Sequence, residues 1–132
     1  MSASPPPEIT PIEQDYDHLL RSNLERVFNE REPTRRAQAI AELFVEQPIL
    51  YEPDGVVHGR KAISAVAGEL LKRFGPNFAF VSEKAAIGHH GMGSLRWHAG
   101  PPEGSPIFTG IDTAAIVDGR IEQLWVLLDA SK

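Results

Sequence analysis

Asp112 lies inside the run "PIFTGIDTAAIVDGRIEQLWVLLD", which otherwise reads as two β-strands joined at Asp118-Gly119. Aspartate is depleted from strands. An ionised carboxylate among apolar side chains must be paired, hydrogen-bonded or neutralised. If burial raises its pKa, it becomes a useful acid or proton shuttle near neutral pH. Glu52, in "YEP", is a second carboxylate, placed just after a short apolar run. Two carboxyl groups in one apolar cavity have environments that push their pKa values apart, which divides acid and base work between them. Asp112 is thus the principal candidate acid/base and Glu52 the second. The alternatives are that Asp112 pairs with a cation such as Arg96 or sits at a wet strand edge. Glu52 would then be an exposed strand end, or a cap for the turn at Asp54-Gly55.

The strand "SLRWHAG" offers two faces, Ser94, Arg96 and His98 on one and Leu95 and Trp97 on the other. If the first lines a cavity, His98 is a candidate catalytic partner for Asp112, and Arg96 a candidate to hold an anionic substrate. If the second does, Trp97 supplies a flat wall with one N–H donor. A one-residue slip of register exchanges the two faces, so both stay open. His89-His90 does not suggest a metal pair, because adjacent strand residues point to opposite faces. No Gly-rich phosphate loop, G-x-S-x-G elbow or metal-ligand spacing is present. No cofactor and no metal are expected.

The elements that must position these residues can be read from periodicity. Residues 1–12 carry four prolines and read as a flexible tail, with a single domain over 13–132. Apolar spacing of three and four predicts a helix over about 13–30. A second helix, "RRAQAIAELFVE" after an N-cap at Thr34, would bury Ala37, Ile40, Ala41, Phe44 and Val45 and stop at Pro48. "PILYEP" reads as a short strand, and "KAISAVAGELLKRF" as a third helix. Four strands in an antiparallel meander follow. Helices segregated from a sheet define an α+β domain: a curved antiparallel sheet wrapped over about three N-terminal helices, leaving a cone-shaped cavity.

The chain has 132 residues, 42% of them apolar, no cysteine and a formal net charge of −5. The acidic balance argues against nucleic acid as a partner. No apolar run approaches the roughly 20 residues that span a bilayer, so no membrane partner is expected. No signal peptide is apparent, which leaves the cytoplasm as the expected location.

Two segments, "AIAELFVEQPILYEPDGVVHGRKAI" and "GIDTAAIVDGRIEQLWVLLD", resemble the nuclear transport factor 2-like superfamily and, within it, the SnoaL-like branch that includes ketosteroid isomerases and polyketide cyclases. The resemblance implies that Asp112 points into the cavity. The matching aspartate of the isomerases stays protonated there and donates a hydrogen bond to a developing oxyanion. Glu52 matches their general base. It also implies that Leu124, Val126 and Leu128 face the cavity, with Trp125 and Leu127 on the outer sheet face. Phe108 lies beside an inward Asp112 by period two. No tyrosine matches the one that completes the isomerase oxyanion site: the comparable turn holds Leu24 or Phe28, and Tyr16 comes too early. Steroid isomerisation is therefore not implied. The function expected is cofactor-free acid/base catalysis (isomerase, cyclase, dehydratase or hydrolase type) on a small hydrophobic molecule, in a homodimer formed through the outer sheet face. The alternative is a non-catalytic binding or dimerisation module of the same fold.

Overall fold

The computed structural model describes residues 14–129, so the proline-rich stretch 1–12 lies outside it. The first helix, α1 (Tyr16–Asn23), is capped by Asp15, whose carboxylate accepts from the His18 N–H at 2.9 Å. It does not run on to residue 30 as an α-helix. Leu24–Phe28 forms a π-helical turn, closed by Asn29 N–H donating to Leu24 O at 3.0 Å. Such turns recur at functional sites. Asn29 then satisfies both backbone groups of Phe80, which ties the turn to the sheet.

The second helix, α2 (Pro33–Leu43), starts two residues earlier than the sequence suggests. Glu32 is the cap, accepting from the N–H groups of Thr34 and Arg35, with Pro33 at the first helical position. Its buried stripe is Arg36, Ala39, Ile40 and Leu43; of the positions expected, Ile40 is buried and Ala37 and Ala41 are exposed. Phe44 has extended backbone and opens β1 (Phe44–Glu52), so neither it nor Val45 continues the helix. Pro48 falls where the β1 register shifts, and so it interrupts no regular ladder. Arg60 opens α3 (Arg60–Phe74), and its guanidinium donates to the carbonyls of Phe44 and Val45, both at 2.9 Å. The same guanidinium reaches the Ala41 carbonyl of α2 at 3.5 Å, so three elements are tied at one point.

The remaining strands are β2 (Gly55–His58), β3 (Ala79–Ser82), β4 (Ile87–His89), β5 (Met92–Gly100), β6 (Phe108–Val117) and β7 (Arg120–Leu128). The sheet order is β2-β1-β7-β6-β5-β3, with β4 also paired to β5. Every pair is antiparallel except β1 with β7, which makes this curved, unclosed sheet mixed. Leu20, Ile40, Leu50, Ile63, Leu95, Ile121 and Leu124 form the core between the helices and the sheet. Among the described residues no helix is long and apolar enough to cross a membrane.

Asn23, the last residue of α1, is wholly buried, and neither polar atom of its amide has a partner among the described residues. A buried unpartnered amide costs the free energy of its lost hydration. Asn23→Leu, which keeps the branched skeleton without its polar atoms, is expected to raise unfolding stability by about 1 kcal/mol, read by chemical denaturation. A loss of stability instead would show that the amide has a partner in solution.

Candidate functional site

The cavity forms where α3, the π-helical turn and the free part of the sheet diverge. It has a volume of about 360 Å³ and a lining dominated by apolar side chains. Leu24 and Phe28 enter it from the π turn, Leu70 and Phe74 from α3, Phe80 from β3, and Trp97, Phe108, Val126 and Leu128 from the last strands. Phe80 meets Trp97 edge-on, with centroids 5.2 Å apart, and Phe108 meets it edge-on at 6.0 Å. These rings set the shape of the wall.

Asp112 lies in this wall and is 3% exposed. Its hydrogen-bond partner is Trp97, whose Nε1–H donates to Oδ1 at 2.9 Å. Trp97 stands opposite Gly110 in the β5–β6 register, two residues from Asp112. A side chain at Gly110 would begin 2.7 Å from the indole ring and 2.5 Å from the Leu127 carbonyl oxygen. The bare backbone at Gly110 is what lets the ring lie across β6 and reach the carboxyl. Burial pushes the Asp112 pKa up to about 7, opposed by the Trp97 hydrogen bond, which favours the ionised form. Oδ1 is the acceptor in that bond, so a proton on this carboxyl belongs on Oδ2.

Glu52 ends β1 and also lines the cavity. Its pKa is raised, first by burial and then by the nearby charge of Asp54. β1 pairs in parallel with β7 at Leu50–Leu124 and Tyr51–Trp125, so Glu52 comes level with Val126, which pairs with Asp112. Strands lie about 4.8 Å apart, so the two backbones are separated by about 10 Å. That gap, floored by Val126, is wide enough for a small ring between two carboxyl groups.

Six of the sequence-proposed residues therefore meet in one place: Asp112, Glu52, Trp97, Phe108, Val126 and Leu128. Three do not. Arg96 and His98 are on the opposite face of β5, because Leu95 and Trp97 are the buried pair of that strand. There His98 contacts Glu83 at 3.3 Å and Arg96 approaches Asp129 at 3.7 Å. Neither reaches Asp112, so His98 is not its acid–base partner and Arg96 does not line the cavity. Leu124 faces inward but lies in the packed core, paired with Ala114 and Leu50, and does not border the cavity. Tyr16 is also far from the site: its hydroxyl accepts from the Gly91 N–H. His89 and His90 sit at the exposed turn into β5, and no group of three metal-ligating side chains forms among the described residues.

Phe74, Phe80, Leu70, Arg73 and the space at Gly110 were not singled out from sequence as site residues. Phe74 and Leu70 belong to the apolar stripe of α3, which periodicity assigns to core. Only the end of that stripe overhangs the cavity.

No protein-family model matches this sequence, and no curated protein matches it. Solved structures do match. A proposed isomerase of the SnoaL-like family from Agrobacterium tumefaciens superposes with a TM-score of 0.80 at 22% identity, covering 88% of this chain and 98% of that one. A proposed SnoaL-like polyketide cyclase from Jannaschia gives 0.68 at 14% identity, covering 94% and 92%. A proposed ketosteroid isomerase from Kribbella flavida gives 0.68 at 11% identity, covering 91% and 82%. The chain has the α+β fold of the SnoaL-like, nuclear transport factor 2-like proteins.

The raised Asp112 pKa has a consequence for stability. In the unfolded chain this carboxyl ionises near its ordinary value of 3.8; in the folded protein it keeps its proton until about 7. The native state thus binds more protons across that window, and the group subtracts stability as pH rises through it. Between about pH 4 and pH 8, Asp112→Asn is expected to gain a few kcal/mol relative to the unmodified protein, by denaturant titration. Parallel pH profiles for the two proteins would mean a carboxyl that is ionised and well solvated in the fold.

Proposed function

We propose that this chain catalyses proton transfer on a small, mostly apolar carbonyl compound, with Asp112 as acid and Glu52 as base. The observation that carries this reading is the Asp112 carboxyl, buried in an apolar cavity and held near neutral pKa with one N–H partner. The SnoaL-like neighbours named as isomerases and a polyketide cyclase support the same class of chemistry.

The step follows from the geometry. A carbonyl oxygen lies against Asp112 Oδ2–H, and the adjacent carbon lies toward Glu52. The Glu52 carboxylate removes a proton from that carbon. The C–H electron pair becomes a C=C bond, and charge moving onto oxygen is met by the Asp112 proton. Return of the Glu52 proton to a different carbon gives an isomer; attack of the enol carbon on a second carbonyl opens that C=O, whose oxygen takes the Glu52 proton while the enol O–H returns its proton to Asp112, and gives a cyclised product. The apolar wall keeps water from the enol. No tyrosine stands beside Asp112, as Leu24 and Phe28 fill the π turn. Oxyanion stabilisation therefore rests on one carboxylic acid.

The test is exchange of α-hydrogens for deuterium in a bicyclic ketone such as 2-tetralone, followed by NMR. The protein is expected to accelerate exchange, with Glu52→Gln and Asp112→Asn each losing about 100-fold or more. The rate is expected to rise as Glu52 ionises and to fall through about pH 7 as Asp112 loses its proton. Trp97→Phe removes a bond that favours the ionised form, so its falling limb should move to higher pH. Binding of the ketone without exchange would replace this reading with a binding module.

We also propose that the chain works as a homodimer through the outer sheet face. Tyr51 and Trp125 stack there with centroids 4.9 Å apart, beside Ile111 and the half-exposed Leu127. Sedimentation at micromolar concentration should give a dimer; a monomer alone would remove the proposal.

A further inference from the structure

The described residues lining the cavity include one cation, Arg73, in the last turn of α3. It forms no ion pair with any described carboxylate. Its guanidinium carbon stands 5.6 Å from the centroid of the Phe74 ring, another lining residue. The charge acting on Glu52 comes from Asp54, so Arg73 does not neutralise Glu52. A second, more open groove runs outward along α3, lined by Ala65, Val66 and Glu69. It shares Glu52, Leu70 and Arg73 with the cavity. Arg73 thus stands where the apolar cavity meets the more open groove.

The helix dipole alone accounts for a cation in a last turn. It does not account for one held over an aromatic ring at the junction of two hollows with no counter-ion among the described residues. A guanidinium in that position presents a planar fork of donors that matches a carboxylate. The deep end of the cavity suits an uncharged polar group, since Asp112 tends to keep its proton there. The middle is aromatic. The site is therefore neutral and apolar inside, and among the described residues Arg73 is the single cation at an opening that also carries the carboxylates Glu52, Asp54 and Glu69.

We propose that the ligand is an amphipathic carboxylic acid, its apolar body among Phe28, Phe74, Phe80 and Trp97 and its carboxylate held by Arg73. This deepens the catalytic reading, on which it rests for the use of the cavity. The acid end is the handle, and the reacting carbonyl is at the other end, near Asp112. A chain longer than the cavity continues past Arg73 along α3.

The experiment compares three probes of one shape: 2-naphthylacetic acid, its methyl ester, and 2-(2-naphthyl)ethylamine. Affinities come from two-dimensional NMR titration of the whole chain at about pH 6, where the acid is ionised and Asp112 is mostly protonated. The acid is expected to bind about tenfold more tightly than the ester, with the Arg73 Nε–H signal shifting only for the acid. Arg73→Gln should bring acid and ester within about twofold, and Arg73→Lys should restore only part of the preference, because an ammonium carries the charge without the planar fork. Equal binding of acid and ester, or tighter binding of the amine through Glu52 and Asp54, overturns the proposal and leaves the catalytic reading standing. No cavity shifts with any of the three probes defeats both.

Discussion

The hydrogen bond from Trp97 to Asp112 is the interaction on which the site depends. It joins the largest buried side chain to one of the few buried polar groups. Without that donor the carboxyl would have no partner in an apolar wall. With it, Asp112 has one oxygen occupied and the other free to hold a proton toward the cavity. The bond needs an indole lying flat across β6, and this needs the absence of a side chain at Gly110. A chemical property of one residue thus rests on a packing property two residues away.

The helices matter to this site mainly through what they leave uncovered. α1 and α2 close the core at one end of the sheet, where Leu50, Ile121 and Leu124 pack completely. At the other end the π turn and the last turn of α3 supply Leu24, Phe28, Leu70 and Phe74 as an overhang. Leu24 and Phe28, four apart in the π turn, both face inward. Asn29 holds that turn to β3 by bonding both backbone groups of Phe80, which keeps the Phe80 ring against Trp97. The cavity is the space that a curved, unclosed sheet and three helices fail to fill.

The superposed SnoaL-like structures show a fold, at identities too low to carry chemistry with them. What distinguishes this chain within that fold is local. Its π turn presents Leu24 and Phe28 where the ketosteroid isomerase pattern has a tyrosine, and its acidic strand end is a glutamate. In the proposed reaction the first would leave oxyanion stabilisation to Asp112 alone, and the second would lengthen the reach of the base by one methylene.

The α+β class, the third helix, the Asp118-Gly119 hairpin and the pairing of Asp112 with Glu52 were legible in the linear sequence. Each leaves a local signature: an apolar period, a turn dipeptide, a carboxylate in a strand. The inward position of Phe108, Val126 and Leu128 followed from period two together with the family resemblance. The face of β5 did not, because Leu95-Arg96-Trp97-His98 alternates equally well in either register. Pairing with β6 and the depth of the core put the apolar pair inside, and so removed Arg96 and His98 from the cavity. Phe44 and Val45 are helical in spacing, and only the parallel pairing of β1 with β7 draws them into the sheet. Arg73, Phe74 and the gap at Gly110 had no sequence signal as site residues, since a helix stripe and a strand glycine look alike whether they face a core or a hollow. Sequence alone determined which side chains were available; the curvature of the sheet and the packing of α3 decided which met around empty space, because a cavity is defined by what does not fill it.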